Sequence, residues 1–245
     1  MKKELREQIK QDEFATGLEK AAAWAGSHRE ELRIGGGVVV VLLAAVGALA
    51  YFRNERAREA ERAFQDALAT YTAPVASELA AGTERPGSQV FGTQEDKYKT
   101  AAAAFEGVER RYGSSSLALR AEYYAALSRM ELKQYAEAEK ALKDIQSRDG
   151  GGLEPELARL ALADLYRRSG QTDKAVEAYR GLATGPKSSV PRDYALRRLA
   201  GTLEDAKRFV EARATYRELA EEFPGSVYAA EARTRADYLQ TASPS

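Results

Sequence analysis

The sequence predicts an all-α chain: a single N-terminal transmembrane helix followed by a solenoid of helix pairs with a 37-residue period. Three observations carry this reading. Ala101/Phe105/Val108, Ala138/Leu142/Ile145, Ala175/Tyr179/Leu182 and Ala212/Tyr216/Leu219 repeat one triplet at intervals of 37 residues, and a fixed period of that order marks stacked supersecondary units that bury their faces against one another. Within each triplet the spacing is i, i+4, i+7, which lines one side of an α-helix and not of a strand. At the other end, Ile34 to Phe52 runs 19 residues without a charge between Arg33 and Arg53.

Residues 1–33 form a polar, charged segment in which Phe14, Leu18, Ala21, Ala25 and Leu32 fall near one helical face, with Trp24 beside it. Such a stretch lies in a membrane interface, docks a partner, or is simply a solvated helix. Residues 34–52 are predicted to be the transmembrane helix, since 19 residues at helical rise span roughly 28 Å, about one hydrocarbon core. Ala48-Leu49-Ala50 has the small-x-small form of a signal-peptide processing site. The apolar run exceeds a signal core, however, and follows 33 polar residues, which favours an uncleaved anchor. Basic residues flank it on both sides, Lys20, Arg29 and Arg33 before and Arg53, Arg56, Arg58 and Arg62 after, so charge alone does not orient it.

Ala60, Phe64, Ala67, Leu68 and Tyr71 stripe a helix over 53–72 that leaves the membrane and stops at Pro74. Residues 73–95 carry Pro74, Pro86, Gly82, Gly87 and Gly92 with little periodicity, and are predicted to be a loop inserted between the two helices of a first, divergent unit. The repeats occupy 96–240. A partner helix precedes each triplet helix, with Ala121, Ala158, Ala195 and Ala232 at the same spacing, and Ala126, Ala163 and Ala200 likewise. Small residues on both helices let the backbones approach closely. Pro224-Gly225-Ser226 offers a stop and a serine N-cap, and Ala229, Ala232, Ala236 and Leu239 stripe a capping helix before a frayed tail at 241–245.

Composition excludes several classes of function. Lys plus Arg and Asp plus Glu number 37 each, so no basic excess points to nucleic acid. With no cysteine and with His28 as the sole histidine, far from the repeats, neither a catalytic triad nor a histidine metal site assembles. Gly35-Gly36-Gly37 opens the apolar run and Gly150-Gly151-Gly152 reads as an interhelical turn, not a phosphate loop. The expectation is a non-enzyme with no cofactor, no metal and no small-molecule substrate.

Leu162, Ala163 and Tyr166, then Gly170, then Ala175, Tyr179 and Leu182 resemble a tetratricopeptide repeat, and Leu199, Ala200, Ala212, Tyr216, Leu219 and Pro224 extend the likeness. The departures are Glu122, Arg159 or Leu196 where a large aromatic is expected, and a period of 37 in place of 34. The resemblance implies a concave groove lined by the first helix of each pair at its second, fifth, ninth and twelfth positions. Those positions are Arg120, Tyr123, Leu127 and Met130; Leu157, Leu160, Asp164 and Arg167; and Tyr194, Arg197, Gly201 and Glu204. The mixture suits an adaptable, partly apolar protein contact, although the leucines also suit packing between repeats. The asparagine and lysine set that clamps a C-terminal carboxylate in some such domains is missing.

Taken whole, the arrangement of polar N-terminus, anchor, inserted loop and repeats resembles the bacterial ancillary subunit family of the Sec translocon. That resemblance implies an inner-membrane, single-pass protein with a cytoplasmic N-terminus and periplasmic repeats, whose partners are translocon subunits, periplasmic chaperones or unfolded clients. Two other readings stay open: an envelope scaffold for a cell-wall or secretion complex, and a regulator acting through the anchor, where Ala44 and Ala48 supply a small-xxx-small face.

Overall fold

The computed structural model of the protein describes residues 29–79, 89–113, 115–148, 153–185 and 189–242, together with Thr16, Ala23, Trp24 and 26–28. The chain divides into two compact units, Met1–Ala57 and Arg58–Ser245. Among the described residues nine helices follow one another: α1 (Arg29–Thr72), α2 (Gln94–Tyr112), α3 (Ser116–Glu131), α4 (Tyr135–Gln146), α5 (Leu153–Arg168), α6 (Thr172–Thr184), α7 (Arg192–Asp205), α8 (Phe209–Glu222) and α9 (Ala229–Ala242).

The first unit holds the N-terminal part of α1. Its apolar side chains are exposed, among them Val41, Leu43, Val46 and Phe52, each more than 60 % accessible. Among the described residues, however, no helix is long and apolar enough to cross a membrane, so the expected span over 34–52 finds no support there. The described side chains give an unbroken apolar run only from Val41 to Phe52, about 18 Å of helix, short of a hydrocarbon core. The apolar face expected from Phe14, Leu18, Ala21, Ala25 and Leu32 lies outside the described side chains, and the glycine turn at 150–152 lies outside the described residues.

In the second unit every residue of the four repeated triplets is buried. Ala101, Ala138, Ala175 and Ala212 have no accessible surface, and neither do Phe105, Leu142 and Tyr179. Burial of a large apolar side chain contributes about 1.5–3 kcal/mol, and the alanines set how closely the helices approach. The alanines of the partner helices, Ala121, Ala158, Ala195 and Ala232, are equally closed off. From α2 onward each helix packs on the next in the chain, and α3 also touches α5 directly. The units are therefore α3/α4, α5/α6 and α7/α8, with α9 stacked on the last of them.

The first pair joins the C-terminal part of α1 to α2, packed through aromatic rings. Phe64 lies 5.6 Å from Phe105 and 5.8 Å from Tyr124, and Tyr71 lies 5.5 Å from Tyr124. Between the two helices, Val75 and Phe91 form an isolated bridge in which Ala76 N–H donates to the Phe91 carbonyl at 2.8 Å. Residues 80–88 of the inserted loop lie outside the described residues. The loop expected to reach residue 95 gives Gln94 and Glu95 to α2, because Thr93 caps that helix by accepting from Asp96 N–H at 3.0 Å. Ser226, expected to cap the last helix, accepts from Tyr228 N–H at 3.2 Å and donates its hydroxyl to Asp193 of α7 at 2.6 Å, while α9 itself begins at Ala229.

The turns inside the pairs share one geometry at the repeat period. Lys133, Gly170 and Lys207 all have positive φ, 61°, 77° and 59°. In each, the next residue reaches back five positions: Gln134 N–H to Arg129, Gln171 to Tyr166 and Arg208 to Leu203, at 2.9, 2.8 and 2.9 Å. This is the Schellman closure, whose left-handed position favours glycine. Only the middle unit supplies one, so the two lysines sit in a strained conformation.

Replacing Lys207 by glycine should therefore stabilise the fold by about 0.5–1 kcal/mol, and Gly170→Ala should destabilise it by a similar amount. Urea denaturation measures both, and an unchanged midpoint for either would count against the strain. A second expectation concerns alkali. Burial pushes the Tyr71 and Tyr216 hydroxyls up to about 12, with Tyr98 adding at the first and Glu204 at the second, and burial raises Tyr179 as well. A proton held more tightly in the folded chain gives stability that is complete below pH about 10 and falls as pH rises to about 12. Tyr71→Phe should hold its melting temperature further into that window than the parent, read by circular dichroism.

Candidate protein-interaction site

The first helices of successive pairs, α3, α5 and α7, carry the positions expected to line the groove. A cleft of 380 Å³ opens there. Tyr123, Leu127 and Met130 of α3 and Leu160 of α5 form its apolar side, while Asp164 and Arg167 of α5 stand on its polar side. These six are half of the expected set. Met130 is buried in the core; Tyr123, Leu127 and Leu160 are half-buried and lean on the core while still facing the cleft. Burial, with Tyr124 adding a smaller effect, pushes the Tyr123 hydroxyl up to about 12, so it stays a neutral donor over the cleft.

The other six positions do not line the cleft. Arg120 pairs with Glu154 at 3.1 Å, and Leu157 is half-buried elsewhere on α5. On α7 all four are turned to neighbouring helices. Tyr194 packs its ring 6.1 Å from Tyr228, and Arg197 lies over the same ring while pairing with Glu231 at 3.1 Å. Glu204 accepts from the Tyr216 hydroxyl at 3.0 Å and pairs with Arg235 of α9. Gly201 faces Tyr216, whose hydroxyl would sit 3.9 Å from an added Cβ, an ordinary contact.

Four residues that the repeat pattern did not nominate complete the cleft: Glu131, Ala161, Arg168 and Arg198. Each follows an expected position directly, about 100° further round its helix. Arg168 grips Glu131 with two hydrogen bonds of 2.7 Å, and this hydrogen bonding is what chiefly raises the guanidinium above its usual value. Arg198 pairs with Asp164 and donates to the Tyr179 hydroxyl at 3.1 Å, and that hydroxyl in turn donates to Asp164. The period itself held the signal for one pair, since Glu131 and Arg168 are opposite charges one repeat apart.

The charged positions thus form a ladder between successive first helices. Arg120 to Glu154, Asp164 to Arg198 and Arg197 to Glu231 all join residues 34 apart. A ladder of this kind fixes how neighbouring pairs stack, and it removes those side chains from ready contact with a partner. What stays accessible is the apolar side on α3 and α5 with Arg167, which is exposed. Among the described residues no cluster of three potential metal ligands occurs. His28 stacks on Trp24 at 4.8 Å.

Comparison with known proteins agrees with the helix-pair reading. The family model described as "Tetratricopeptide repeat" matches residues 91–153 and 160–227. No curated protein matches. Among solved structures, the chain is similar to a Podosopora anserina kinesin light chain crystal structure with nearly identical TPR-like repeats. The identity is 18 %, over 61 % of this chain and 80 % of the other, at a TM-score of 0.48. No catalytic family is indicated. With just over half of its residues matched by that model, the chain belongs to the tetratricopeptide-repeat family.

Proposed function

We propose that the chain is a non-catalytic, membrane-anchored protein-interaction module that takes partner proteins in the cleft between α3 and α5. The observation that carries this is the cleft itself, 380 Å³ in volume with half-buried Tyr123, Leu127 and Leu160 on its apolar side and Arg167 exposed at its rim. Rigid aromatic and aliphatic surface next to a guanidinium is the composition of a protein contact. Catalysis has no comparable support.

The anchor rests on the full uncharged sequence from Ile34 to Phe52, carried on one uninterrupted helix, Arg29–Thr72. Its described apolar side chains are exposed, Leu42, Leu43 and Phe52 each by more than half. Lipid is the solvent that such a surface fits. Tethering then raises the local concentration of a weak partner, which adds avidity without new contacts. The resemblance to the ancillary Sec translocon subunit supports an inner-membrane position with the N-terminus cytoplasmic and the repeats periplasmic. Translocon subunits, periplasmic chaperones or emerging clients are then the partners.

Two experiments test these statements. A photoreactive residue in place of Tyr123 should crosslink a defined partner in cells, and adding Leu160→Asp should abolish the product while leaving the melting temperature within a few degrees. Crosslinking that persists in the double variant would show that the cleft is not the contact. Protease added to spheroplasts should digest the repeats; protection until lysis would reverse the orientation, and release of the chain by alkaline carbonate would remove the anchor.

A further inference from the structure

We propose that the cleft between α3 and α5 reads an extended acidic segment of the partner, in which aliphatic residues flank a carboxylate and that carboxylate is taken by Arg167. The proposal rests on the reading of the cleft as the contact site and specifies what fills it. Charge complementarity supplies the argument. Three guanidiniums stand at the cleft, those of Arg167, Arg168 and Arg198, against two carboxylates, Glu131 and Asp164. Both carboxylates are spent inside the chain, Glu131 on Arg168 through two bonds of 2.7 Å and Asp164 on Arg198. Arg167 is exposed, stands near enough to the Tyr179 hydroxyl to loosen its proton, and forms no ion pair with a carboxylate among the described residues. The cleft therefore holds one guanidinium more than it has carboxylates to match.

An incoming carboxylate gains a charge-assisted hydrogen bond at Arg167 without breaking either internal pair. A basic segment meets three cations instead, and must pull Glu131 or Asp164 away from its partner to be neutralised, at the cost of leaving Arg168 or Arg198 uncompensated. A neutral segment leaves Arg167 to solvent. The apolar surface argues for an extended chain. Leu127 and Leu160 lie on neighbouring helices, whose axes stand about 8–10 Å apart in packed pairs. Side chains two residues apart on an extended strand are separated by roughly 7 Å and share one face. Alternate aliphatic residues of a chain crossing the helices therefore reach both leucines in turn.

The test is selection of displayed random decapeptides on the full chain in lipid nanodiscs, with empty nanodiscs used to remove membrane binders. Selected peptides should be enriched in Asp or Glu within two residues of Leu, Ile, Val or Phe. A synthesised winner with its acid changed to the amide should bind about tenfold more weakly. Arg167→Gln should bind the two forms alike, and Arg167→Lys should restore part of the preference. Equal binding of acid and amide to the parent chain, or enrichment of Lys and Arg, overturns the acidic reading while leaving the cleft as the contact. Selection that proceeds unchanged on Leu160→Asp overturns the cleft itself. Recovery of no peptide overturns both.

Discussion

The stack is held to its spacing by side chains that are too small to be replaced. Ala101, Ala138, Ala175 and Ala212 sit where the second helix of each pair meets the first, with no accessible surface. Ala121, Ala158 and Ala195 do the same on the first helices, and Ala232 is as good as closed off on α9. An interior at crystal-like packing density gives a methyl group at such a place no freedom to grow. Once the helices are that close, the larger members of each triplet have one site left to fill, and Phe105, Leu142, Tyr179 and Tyr216 fill it.

From this spacing follows the chemistry of the first-helix face. Neighbouring first helices come near enough for side chains of opposite charge to meet, and the chain uses that proximity for its own assembly. Arg120, Asp164, Arg197 and Glu204 were expected to face a partner, yet each is engaged with a residue of another helix. Half-exposed ion pairs of this sort contribute little each, but a repeated set fixes one stacking angle over others. The surface left for recognition is therefore concentrated on α3 and α5.

Much of the fold was legible because buried alanines and large residues recur at a strict interval, and periodicity is what a solenoid imposes on its sequence. Helix boundaries followed from Pro74, Gly170 and Pro224 for the same local reasons that operate in the structure. Other features were hidden. Lys133 and Lys207 occupy left-handed turn positions without the glycine that announces one, and the bond from Ser226 to Asp193 joins the local one from Tyr228 N–H across a sequence distance that no local pattern shows. The site was only half legible. The expected positions gave the right helices, but Glu131, Ala161, Arg168 and Arg198 lie one residue further on, about 100° round the same helices, and line the cleft beside them.

Helix α3 belongs to two cores at once. Its Ala121 and Ala125 pack with Phe64 and Phe105 on one side, whereas Ala126 and Met130 pack with Leu142 and Tyr166 on the other. In a stack whose units touch only their neighbours, such a shared helix is the joint through which order propagates. Local opening of either block exposes part of α3, so amides of this helix exchange with solvent only as fast as the less stable of its two supports allows. The same helix forms one side of the cleft, and the residues it gives to that side, Tyr123, Leu127 and Met130, pack with the second of these blocks. A ligand there braces α3 from that block alone, so the slower exchange it brings belongs to the α3 amides that the second block protects.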